Sequence, residues 1–180
     1  MRQVLFLVAA LNILQGQQSE PVKVPEPDVF GVMFYLDPSS HTITALPKEQ
    51  AKSVGKAKAG FGSVSAVGST QLSGISSSFR VPASDKSEFV FKVGGNVDPT
   101  SVKLYPCTQD KKKKFRQMDT VTIKNTGTFH ATSTQTPISG VDVDIVKHGE
   151  SSYKLVAKRL APGEYAILMR ADAVFTFSIQ

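Results

Sequence analysis

The tightest constraint on the fold is a period of two. EFVFKV places Phe89, Phe91 and Val93 on one side and Glu88, Val90 and Lys92 on the other. VDVDIV sets Val141, Val143 and Ile145 against Asp142 and Asp144, SYKLVAK aligns Tyr153, Leu155 and Ala157, and VFTFSI aligns Phe175, Phe177 and Ile179. Successive side chains of a strand point to opposite faces, so this spacing predicts half-buried strands and does not suit the 3.6-residue repeat of a helix. Further short apolar runs bounded by turn residues stand at 29–36, 42–46, 101–105, 119–123 and 164–169. Only PKEQAKSVGKAKA, residues 47–59, has an interior composition compatible with helix. It lacks an apolar stripe and contains Gly55, so at most a short surface turn of helix is expected. About eight to nine strands and no interior helix predict an all-β chain folded as an antiparallel β-sandwich, with a barrel as the alternative.

The first residues, MRQVLFLVAALNILQG, combine Arg2 with an apolar run from Val4 to Leu14. That layout predicts a helical signal peptide over residues 1–16, too short for a span that needs about 20 apolar residues. Residues 17–28 carry Pro21, Pro25 and Pro27 and are expected to form an extended, proline-rich tether. Residues 29–180 then make a single domain, exported to a periplasm or to the exterior. Cys107 is the lone cysteine, so no internal disulfide is available and the residue is expected to be small and semi-buried. The formal charge of +6 favours anionic partners, and in an exported chain these are envelope polymers, lipid headgroups or another envelope protein rather than nucleic acid.

Residues 51–78, rich in Gly, Ser, Ala and Lys, are expected to be a loop region or a weakly patterned pair of edge strands. The run DKKKKFRQ is expected to be a solvated turn between strands. Its functional reading is contact with an anionic surface through Lys111, Lys112, Lys113, Lys114 and Arg116, with Phe115 alongside. Asp142, Asp144, His148 and Glu150 gather charge in one segment, yet Val141, Val143 and Ile145 mark the opposite face as the buried one and leave the aspartates in water. His41, His130 and His148 stand apart, and no HExxH, paired Cys-His, Gly-x-Ser-x-Gly or phosphate-cradling glycine motif occurs. No catalytic, cofactor-binding or metal residue is assigned.

LAPGEY holds Leu160, Pro162, Gly163 and Tyr165 in an L-x-P-G-x-Y pattern. Pro followed by Gly suits a type II turn, with Leu160 packed beneath it, Glu164 at the surface and the Tyr165 hydroxyl returned to the turn backbone. This corner resembles that of transthyretin-like and Cna-B-like β-sandwich modules, as well as the tyrosine corner of immunoglobulin-like sandwiches. FYLD, GISSSFRV, EFVFKV, a basic segment and KLVAKRLAPGEYAILM followed by VFTFSI together resemble uncharacterised exported bacterial proteins ending in a PGEYA-type strand, although this chain finishes in FSIQ. The resemblance implies one exported β domain, immunoglobulin-like or transthyretin-like, and brings no catalytic residues. The expected function is a non-enzymatic binding or structural module at the bacterial envelope. The alternative is an envelope-polymer hydrolase with a site assembled from dispersed residues such as Asp142, Asp144 and His148.

Overall fold

The computed structural model describes residues 25–60, 63–95, 97–126, 132–170 and 173–180. The expected signal peptide, the first part of the tether and His130 lie outside the described residues. Fourteen strands are described: β1 (Met33–Leu36), β2 (Ile43–Ala45), β3 (Lys48–Glu49), β4 (Ala51–Gly60), β5 (Ser63–Ser73), β6 (Arg80–Val81), β7 (Lys86–Lys92), β8 (Lys103–Asp110), β9 (Phe115–Thr126), β10 (Thr132–Pro137), β11 (Val143–His148), β12 (Ser152–Lys158), β13 (Gly163–Arg170) and β14 (Ala173–Ile179). All nine runs expected to be strands contain one. The Lys-rich segment at 47–59 is not helical but supplies β3 and most of β4, and residues 51–78, expected as a loop or a weakly patterned pair of edge strands, are mainly the long β4–β5 hairpin.

Two antiparallel sheets pack together. The smaller runs β11-β12-β7-β1-β2 and the larger β3-β14-β13-β8-β9-β5-β4, with β10 beside β9 and β6 parallel to β14. The ends of the larger sheet are one stretch of chain. Only Gln50 separates β3, which pairs with β14, from β4, which pairs with β5, so the sheet closes into a small barrel. Sandwich and barrel are therefore both present, sharing the wall made by β8, β13 and β14.

That shared wall explains the C-terminal sequence. In AVFTFSI every residue is buried. Phe175, Phe177 and Ile179 join the core between the sheets, where the Phe177 ring lies 4.6 Å from Phe89 and 5.4 Å from Tyr165, centroid to centroid. Val174 turns the other way, into the barrel, beside Ala166, Tyr105, Leu72 and Met118. A barrel of so few strands has a narrow interior that side chains must fill, which suits the small Val174, Thr176 and Ser178 on that face. Curvature comes from a bulge where the β5–β9 register shifts between Gly68 and Ser69. A Cβ on Gly68 would stand 2.6 Å from Val121 Cγ1, so any larger residue there would force the Val121 side chain to shift.

The LAPGEY corner forms as an architectural element, with one difference in its backbone. Leu160 is buried and the Tyr165 hydroxyl donates to the Ala161 carbonyl at 2.8 Å. Gly163 already belongs to β13 with φ of +157°, well away from the value near +80° that a type II turn requires, and Arg159 takes the left-handed conformation at φ of 51°. Conformations like that of Gly163 are almost confined to glycine. Gly163→Val is therefore expected to destabilise the fold by about 1–3 kcal/mol, measured by chemical denaturation against the parent chain.

Candidate functional site

The lysine turn lies where the sequence placed it, between β8 and β9. Its shape comes from Asp110, whose Oδ1 accepts the backbone N–H groups of Lys112 at 3.1 Å and Lys113 at 2.9 Å, while Lys114 closes the turn with φ of 56°. Such an Asx turn uses the nearest carboxylate on the backbone. Lys111, Lys112, Lys113 and Lys114 are exposed, and none forms an ion pair with a carboxylate among the described residues. Two shallow concavities flank them. One, about 480 Å³, is lined by Lys56, Thr108, Gln109 and Gln117 together with Lys111 and Lys112. The other, about 350 Å³, brings Lys52, Gln71 and Ser73 beside Lys113 and Lys114. Phe115 lines both. The fold thus adds Lys52 and Lys56 from β4 to a cluster that the sequence shows as four consecutive lysines.

Arg116 does not belong to this surface. Strand alternation turns it into the barrel, where it is 1% exposed, so its expected part in an anionic-surface contact is corrected. Its Nη2 donates to Glu49 Oε2 at 2.6 Å and to the Ser73 carbonyl at 3.1 Å. Nη1 reaches Glu164 Oε2 at 3.4 Å and Nε the Gly74 carbonyl at 3.3 Å. Glu164, expected at the surface, is buried and also accepts the Ser77 N–H at 2.7 Å. Thr176 Oγ1 donates to Glu49 Oε1 at 2.5 Å and accepts from Ser77 Oγ at 3.0 Å, whose own acceptor position takes the Phe79 N–H at 3.2 Å. A guanidinium and two carboxylates are satisfied almost entirely by one another and by neighbouring backbone. The cluster closes the barrel and offers little to a ligand.

Cys107 faces the same interior. Burial pushes its thiol up to about 12, against a smaller opposing effect of Arg116, which keeps the sulfur protonated and unreactive near neutral pH. The sequence expectation of a semi-buried cysteine matches its position.

The acidic segment does not assemble into a site. Asp142 and Asp144 are exposed as expected, and Asp144 pairs with Lys158 at 2.8 Å. His148 is buried, with Nε2 3.1 Å from the Pro25 carbonyl. No group of three or more His, Cys, Asp or Glu side chains suited to a metal ion occurs among the described residues. The β11–β12 turn instead holds Glu26, which accepts the N–H groups of Glu150 at 2.8 Å and Ser151 at 3.2 Å and the Ser152 hydroxyl at 2.9 Å. These bonds, the Glu150 N–H foremost, lower the Glu26 carboxyl to about 2. The last residues of the expected tether, Pro25–Asp28, are thus partly docked on the domain, with Pro27 buried.

No family model, curated protein or solved structure matches this chain. The residues that sequence reasoning missed, Glu49, Ser77, Thr176 and Glu26, carry no local motif. Each is defined by a partner that the fold brings from more than 60 residues away.

Two outcomes follow from these geometries. Arg116→Met strands Glu49 and Glu164 without their cation and is expected to cost about 3–5 kcal/mol, read as a lower denaturation midpoint. Because the folded-state value for Glu26 lies below its unfolded value, its contribution is complete above about pH 4.5 and is lost as pH falls toward 2. Hydrogen-exchange protection of the Glu150 and Ser151 amides should therefore persist through pH 4 and collapse near pH 2, whereas in Glu26→Gln it should be weak at every pH.

Proposed function

We propose that this chain is an exported, non-enzymatic β-sandwich module that holds an anionic partner at the bacterial envelope, by its chemistry a polyanionic polymer or a surface of acidic lipid headgroups. The observation that carries this reading is the set of four lysines on the Asp110-capped turn, flanked by Lys52 and Lys56, with the neighbouring carboxylate engaged by backbone. Ammonium groups clustered within a Debye length of about 8–10 Å reinforce one another toward a multivalent anion. The shallow, open concavities suit an extended or flat partner better than a small enclosed substrate. Phe115 supplies an apolar floor between them. The resemblance to exported proteins with a PGEYA-type strand agrees with this address. The hydrolase alternative gains nothing from Asp142, Asp144 and His148, because Asp144 is paired with Lys158 and His148 is covered by Pro25.

Co-sedimentation separates the two sources of anion. The chain is expected to pellet with vesicles containing acidic phospholipid, or to shift in mobility with a soluble polyphosphate, in low salt and to release in high salt. Replacing Lys111, Lys112, Lys113 and Lys114 by Gln should reduce that binding at least tenfold. Equal binding by this variant, or binding by the parent that ignores salt, would overturn the reading.

A further inference from the structure

Among the described residues several strands pair on one side only, β2 and β10 with uncharged edges and β4 and β11 with edges of opposite charge. β4 pairs with β5 on one side only, and β11 pairs with β12 on one side only. An open edge presents unpaired backbone donors and acceptors and is a template for another strand. On β4, Lys52 and Lys56 share one face, while Ser53 and Gly55 occupy the other. Along β11 and the residue before it, Asp142 and Asp144 share one face, while Val143 and Ile145 occupy the other. One edge is basic on one face and small on the other. The opposite edge is acidic on one face and bulky on the other.

We infer that β4 of one copy pairs with β11 of a second copy, so that the chain assembles head to tail through these two open edges. In an antiparallel register with Val54 opposite Asp144, Lys56 stands opposite Asp142. Lys52 and Lys56 both lie on diagonals to Asp144, about 7–8 Å away and within reach of a lysine stem. On the other face the same register sets Ser53 and Gly55 beside Ile145 and Val143, where small residues leave room for branched ones. Self-pairing in the centred registers is unfavourable: β4 against β4 about Val54 sets Lys52 opposite Lys56, and β11 against β11 about Val143 sets Asp142 opposite Asp144. Cross-pairing of β4 with β11 matches opposite signs. Asp144 is bound to Lys158, but that pair is largely exposed, at 69% and 57% of the two side chains, and such pairs are weak enough to exchange. Because the two edges are different surfaces of one molecule, the contact is heterologous and propagates into an open chain or a ring. This inference shares Lys52 and Lys56 with the basic surface but depends on β11 and not on Lys111–Lys114, which the two tests vary separately.

The test is the mass of the full-length chain, followed by light scattering as concentration rises. The parent should at least double in mass in low salt and return to a monomer in high salt. Lys52→Glu with Lys56→Glu should abolish the rise, and so should Asp142→Lys with Asp144→Lys. Mixed in equal amounts, these two variants should assemble again, because each restores the sign that the other has lost. The variant with Gln at positions 111–114 should assemble like the parent even where it no longer binds anions. A parent that stays monomeric, an assembly indifferent to salt, a mixture that remains monomeric, or an assembly lost with the lysine turn would overturn the inference. The substituted positions are exposed, and the salt dependence of the parent decides the matter even if a variant does not fold.

Discussion

Arg116 holds the larger sheet closed. Its guanidinium, removed from water, joins β9 to Glu49 on β3 and to Glu164 on β13, and through Glu49 to Thr176 on β14. These strands are far apart in sequence and meet only because the sheet curls until β3 returns to β14. Burying one cation beside two carboxylates is costly unless every lone pair and donor finds a partner. The backbone of residues 73–79 completes the set, through the Ser73 and Gly74 carbonyls and the Ser77 and Phe79 N–H groups. The cluster therefore ties together four strands and a connecting segment that apolar packing alone would hold less specifically.

The basic surface lies next to that cluster, immediately before Arg116 in the chain. Arg116 points inward at the start of β9, while the lysines before it stand exposed on a compact turn fixed by Asp110. Pairing of β5 with β9 carries the β4–β5 hairpin alongside and so places Lys52 and Lys56 beside the turn. Six lysines that occupy two stretches of sequence become one basic surface. The same arrangement leaves β4 at the end of the larger sheet, paired with β5 alone.

Strands of the sandwich were legible because their alternation is strong. Phe89, Phe91, Phe175 and Phe177 mark a buried face by size alone, and LAPGEY marks its corner by turn chemistry. The closing strands of the barrel were only weakly legible, and β10 not at all. AKSVGKAKAG and TSTQTP hold few large apolar residues, since much of their surface stays in water and the barrel interior needs little volume to fill. Glu164 looked exposed because alternation in EYAILM identifies the face opposite Tyr165 and Ile167 but not that a second layer covers it.

The sequence by itself determined the all-β character, the sandwich face of each late strand, the tyrosine corner and the exposed lysine turn, because these depend on period, side-chain size and local backbone preference. Tertiary structure alone decided the barrel, the burial of Arg116 and Glu164 and the docking of Glu26 on the β11–β12 turn. Each of those pairs charges or polar groups distant along the chain, and whether a charged side chain is buried depends on the partners that folding brings to it rather than on its neighbours in sequence.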